Sequence, residues 1–101
     1  MQKQIQKLLE LGPLPNSDAD FEFINIYENL LNGIVIPVTD EEAKELIKLF
    51  GNEDCYGLAW TLLHLVETAP NWSIENCPPS DNQWIKLLKN RLENNLNPKL
   101  Q

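Results

Sequence analysis

A thiol placed beside an imidazole is a nucleophile with its base. Cys55 and His64, the sole histidine, are therefore where covalent chemistry is first sought. Cys55 falls near the start of a helical pattern, where the helix dipole lowers a thiol pKa. Nine residues along one helix is two and a half turns, a rise of about 13 Å, which is beyond hydrogen-bond reach. Glu53 and Asp54 sit next to Cys55 and oppose its ionisation. Cys77 could meet His64 only through the fold. The pattern reads better as a small buried apolar residue than as a nucleophile.

Metal chemistry lacks its spacing. Cys55, His64 and Cys77 form neither Cys-x-x-Cys nor His-x-x-x-His, and Asp18-Ala19-Asp20 does not run on into a calcium loop. No metal or other cofactor is expected.

The acidic residues are the strongest compositional feature. Asp and Glu number 15 against 8 Lys and Arg, giving a net charge of −7 in 101 residues. Between residues 18 and 75 the only basic residues are Lys44 and Lys48. Many of the acids, including Asp18, Asp20, Asp40 and Glu42, lie at or near helix starts, where negative charge stabilises the helix itself. The middle of the chain lacks the matching basic helix ends. Its excess charge is suited to steering a basic partner, with Glu41, Glu45, Glu53 and Asp54 as candidate contacts. The same balance argues against nucleic acid, whose phosphates call for Lys and Arg, and against anionic lipid.

Gly57, Thr61, His64 and Thr68 recur at i, i+4, i+7 and i+11, one narrow polar stripe on an otherwise apolar helix. The stripe is either a seam where another helix approaches closely or the edge of a pocket with Trp60 and Trp72 at its rim. Trp60 and Trp84 fall on apolar faces and are expected in the core. Trp72, in a loop after Pro70, either plugs the end of the bundle or anchors a partner.

These residues are carried by about five helical segments separated by prolines and glycines. The first runs from Lys3 to Leu11 and ends at Gly12-Pro13. The second begins after Ser17, an apt N-cap, and ends near Gly33. Its Phe21, Ile24, Tyr27 and Leu31, widened by Phe23, Ile26 and Leu30, predict substantial burial. Ile34 to Val38 is the one β-like stretch; having no second strand to pair with, it reads as an extended linker packed on the core. Thr39-Asp40-Glu41-Glu42 is a capping box, and Ala43, Leu46, Ile47 and Phe50 mark the face that follows. Gly51 is the expected left-handed stop. The fourth segment, 55–69, is apolar almost all round, as a central helix would be. The fifth opens at Ser80-Asp81-Asn82-Gln83, another capping-box pattern, with Ile85, Leu88, Leu92 and Leu96 as its buried stripe, and stops at Asn97-Pro98. Pro-rich residues 70–80, with Trp72 and Ile74, link the last two.

The fold class expected is all-α, residues 1–101 forming one helical domain. Its form is either a compact bundle of about five helices or a short α-solenoid-like stack of helical hairpins. Segments 39–50 and 55–69 make the central antiparallel hairpin. Met1 to Gly12 lacks the apolar run of a signal peptide, and Leu58 to Val66 is half the length of a membrane span, so a cytoplasmic location with reduced thiols is expected. The function expected is a non-enzymatic, acidic protein-binding module, such as an inhibitor or bacterial immunity-type protein capping a basic partner. The alternatives are a structural or self-associating subunit and, third, a small cysteine-dependent enzyme. The oligomeric state is left open.

Overall fold

Residues 1–72 and 77–96 are described by a computed structural model. The Ile74 position and the Asn97-Pro98 stop lie outside them, as does the Leu96 side chain. Regular structure among the described residues is all helical: α1 (Lys3–Leu11), α2 (Phe21–Asn32), α3 (Asp40–Leu46) continued by a 3-10 turn at Ile47–Leu49, α4 (Leu58–Glu67) and α5 (Gln83–Leu96). The all-α fold class is the one observed.

Hydrogen bonds between distant segments fix the arrangement. The backbone N–H of Gln2 donates to the Glu42 carboxylate at 3.0 Å, and that of Leu14 donates to the Leu49 carbonyl at 2.8 Å. The two ends of α1 thus meet the corresponding ends of α3 and its 3-10 extension, so these helices run parallel. Tyr27 Oη lies 3.1 Å from the carbonyl oxygens of both Gly12 and Pro13, which ties α2 back against the end of α1. Asn71 N–H donates to Asp40 Oδ1 at 3.1 Å, placing the end of α4 beside the start of α3. The expected antiparallel pair α3–α4 is therefore present. It stacks on the α1–α2 hairpin, with α1 against α3 and α2 against α4. Stacking first helix on first and second on second is the geometry of helical-hairpin repeats. The fifth helix packs on α4 and runs alongside it in the same direction: Trp60 meets Trp84, and Glu67 meets Arg91 one helical repeat further on.

One apolar core runs through both hairpins. Ile5 and Leu8 enter it from α1, Ile24, Tyr27 and Leu31 from α2, Ala43 and Leu46 from α3, and Leu62, Leu63 and Val66 from α4. Each buried Leu or Ile contributes about 1.5–3 kcal/mol relative to an exposed one, enough collectively to offset chain entropy in a domain of this size. The capping box forms as expected: Glu42 N–H donates to Thr39 Oγ1 at 3.1 Å, and Thr39 N–H donates to Glu42 Oε1 at 2.9 Å. Glu42 Oε2 takes the Gln2 N–H, so a single carboxylate, 5% exposed, caps α3 and clasps α1 to it.

Several local expectations are corrected. Helix α2 starts at Phe21 rather than directly after Ser17: residues 17–19 turn instead, and the Ser17 N–H donates to the Glu53 carboxylate. Helix α4 starts at Leu58, not Cys55. Cys55 and Tyr56 adopt left-handed backbone (φ 51° and 56°) ahead of Gly57 (φ 92°), and this turn lengthens the hairpin connection. Gly51 is not left-handed. Its need for glycine is steric, since a Cβ there would stand 2.6 Å from the Leu14 carbonyl oxygen. The cap of α5 moves from Ser80 to Asn82, whose Oδ1 accepts from Trp84 N–H at 2.8 Å. The extended segment 34–38 buries Ile34 and Val38 but leaves Val35 and Ile36 in solvent.

Candidate functional site

The thiol reading meets a geometry that opposes it. Both cysteines are buried and unpaired. Burial raises the Cys55 thiol above its ordinary value, and Glu53 and Asp54 raise it further. Burial likewise raises Cys77, against smaller lowering influences from Trp72 and Lys89. Neither thiol shares a hydrogen bond with His64 among the described residues. His64 stands in solvent with its ring 6.0 Å from that of Trp60. No group of three metal-ligating side chains occurs among the described residues, and no helix there is long and apolar enough to cross a membrane.

The polar stripe of α4 borders an open groove rather than a helix–helix seam. Thr61, His64 and Thr68 line a hollow of about 280 Å³ whose other wall is Leu31, Asn32 and Ile36. The threonine hydroxyls serve the fold. Thr61 Oγ1 donates to the Gly57 carbonyl at 3.2 Å. Thr68 Oγ1 donates to the Leu65 carbonyl at 2.7 Å and accepts the Val38 N–H at 3.0 Å, which pins the 34–38 segment to α4. The indole of Trp60 is 39% exposed rather than in the core, set edge-to-face against buried Trp84 at 5.4 Å. Trp72 is buried, which is the plugging arrangement and removes it as an exposed anchor.

The four acids expected at a partner face are divided between α3 and the connection to α4. Glu41 is exposed on the first turn of α3, beside the end of α4. Glu45 is held by Lys48 at 2.6 Å. Glu53 and Asp54 lie at the far end of the α3–α4 hairpin. Glu53 clasps Ser17, whose hydrogen bonds hold its carboxyl below the usual range, and Asp54 is half-buried. Of the four, Glu45 and Glu53 have partners within the fold, Glu41 is exposed, and Asp54 Oδ1 is buried without a hydrogen-bond partner among the described residues.

A different acidic face emerges on α2. Phe21 is 73% exposed, Ile26 46% and Phe23 38%, although their spacing had suggested burial. Only Ile24, Tyr27 and Leu31 are buried, because among the described residues α2 is packed mainly by α1 and α4 and its outer side is left exposed. On a helical wheel Glu22, Ile26 and Asn29 run down the centre of that side, with Phe21 and Phe23 at its edges. The charged residues of this stretch of chain, 18–32, are Asp18, Asp20, Glu22 and Glu28, all exposed and without an ion pair among the described residues. Between Lys7 and Lys44 the sequence contains no Lys or Arg.

No family model, no curated protein and no solved structure matches this chain. Its function is therefore argued from these surfaces alone. The sequence held only half of the signal for the α2 face: it shows seven apolar side chains on twelve helical residues, but not how many neighbouring helices cover them.

Proposed function

We propose that this chain is a non-enzymatic protein-binding module that takes a basic partner on the outer face of α2. The observation carrying the reading is that Phe21, Phe23 and Ile26 stand exposed on a helix within residues 18–32, a stretch whose charged residues are all acidic. Such a face offers exposed apolar anchors, Ile26 at its centre and Phe21 and Phe23 at its edges, interspersed with acids that include Glu22 at the centre. The anchors supply binding energy, and the acids steer a partner of opposite charge. An inhibitor capping a basic protein, of the immunity type, is a class that fits this chemistry. A cytoplasmic setting belongs to the proposal, and the two unpaired thiols support it.

The test compares baits. Tagged wild type, an Ile26→Ser variant and a Glu22→Lys/Glu28→Lys variant are each exposed to the native lysate at low and high salt. A basic protein retained by wild type should be lost, about tenfold or more, from both variants and weakened by salt. Retention that is indifferent to salt and to both variants would refute the proposal, as would the absence of any specific partner.

A further inference from the structure

A chain of net charge −7 gathers four of its eight basic residues around one groove. Two adjoining hollows, about 420 and 520 Å³, share Pro79, Ser80 and Ile85 and run between α3 and the start of α5. Lys44 and Lys48 line one and Lys86 and Lys89 the other. The surface between them is apolar, built by Ile47, Pro78, Pro79 and Ile85. Two acids border the groove. Glu45 is already matched by Lys48 at 2.6 Å, and Asp81 is exposed at the mouth. Lys44, Lys86 and Lys89 make no ion pair among the described residues.

We infer that this groove binds an extended acidic peptide with interspersed apolar side chains, a second binding site distinct in charge and location from the α2 face. Charge complementarity selects the occupant: three unmatched ammonium groups along a groove call for carboxylates at intervals, and the proline–isoleucine floor calls for apolar side chains between them. The shape selects a chain rather than a small molecule. Both hollows are open along their length, whereas small-ligand sites enclose most of the ligand surface. An extended peptide presents alternate side chains to one surface, which suits an apolar floor with charged walls.

The test uses the full chain and a fluorescein-labelled peptide of about twelve residues alternating Glu with Leu, read by anisotropy. Saturable binding is expected. It should weaken about eightfold or more in the combined Lys44→Glu, Lys86→Glu, Lys89→Glu variant, at about two- to fivefold per lysine. The α2 variant Ile26→Ser should bind as wild type, which separates this site from the proposed partner face. A Glu/Ser peptide should bind several-fold more weakly than the Glu/Leu peptide. Lys44 and Lys86 are exposed and Lys89 is half-buried, and unchanged circular dichroism and melting of the variants confirm that the fold is kept. The inference is overturned by any of four results: no saturable binding at about 1 mM protein, equal binding by the triple variant, equal binding of the Glu/Ser peptide, or displacement by inorganic phosphate beyond what chloride achieves at equal ionic strength.

Discussion

Glu42→Gln should be among the most damaging single-atom exchanges in this protein. One carboxylate oxygen takes the Thr39 N–H at 2.9 Å and the other takes the Gln2 N–H at 3.0 Å. A glutamine keeps the shape but offers one acceptor and places an amide N–H against a backbone N–H. One charge-assisted hydrogen bond is lost and the other is weakened, a gross loss of about 2–3 kcal/mol. Thr39 is an exposed residue, so partial rehydration offsets some of this, and the expected cost is about 2 kcal/mol, or a fall in Tm of roughly 8–16 °C. The pH dependence is a second signature. Burial alone would raise the Glu42 carboxyl, but its hydrogen bonds from Thr39 and Gln2 together outweigh this and hold it below the ordinary value of 4.5. A carboxyl held below its unfolded value contributes fully above that value, and its contribution is lost as pH falls through the folded one. Wild type should therefore lose an increment of stability on acidification below about pH 4.5 that Glu42→Gln does not have to lose. Glu53 titrates in the same window in both proteins and cancels in the comparison. Urea denaturation at pH 7 and pH 3.5 reads both effects. A difference of less than about 0.5 kcal/mol at pH 7, or identical acid dependence, would refute the clasp.

Three further outcomes follow from the packing. Gly51→Ala should cost about 1–3 kcal/mol in urea denaturation, because its Cβ meets a backbone oxygen at 2.6 Å and one chain must move; a neutral result would mean that the 14–51 contact yields freely. Tyr27→Phe should lower stability by about 1–2 kcal/mol, since the Gly12 and Pro13 carbonyls lose their shared donor; an unchanged melt would show that water replaces it. Cys55 and Cys77, both buried with raised thiols, should resist alkylation at pH 7 in the native state and react in urea. Rapid native labelling of Cys55 would return the enzyme reading to consideration.

Local signals in the sequence were most reliable where a side chain satisfies its own backbone. The Thr39–Glu42 box and the bounds of α1 could be read directly because capping and the Gly12-Pro13 stop are local chemistry. The boundary shifts at Ser17, Cys55 and Ser80 have separate causes: a distant carboxylate holds Ser17, a left-handed turn at Cys55–Gly57 delays α4, and a neighbouring residue takes over the cap from Ser80. Glu53 reaches back 36 residues to Ser17, and Asn82 displaces Ser80 at the start of α5. Apolar periodicity located α2 but not its exposure, since pattern alone does not say how many neighbours a helix has. The same limit hid the exposed edge of Trp60. The acidic residues were visible as a count, whereas their division between the Glu42 clasp, the Glu53 tether and the exposed acids of residues 18–32 depends on tertiary placement.

Photo-crosslinking tests the α2 face most directly. A photoreactive amino acid is installed at Ile26, the centre of that face, and separately at Glu41 on α3, and each protein is irradiated in its native lysate at low salt. The account predicts a crosslink to a basic protein from position 26 that fades at high salt, and none from position 41. Crosslinking from position 41 alone, or from neither position, would contradict it.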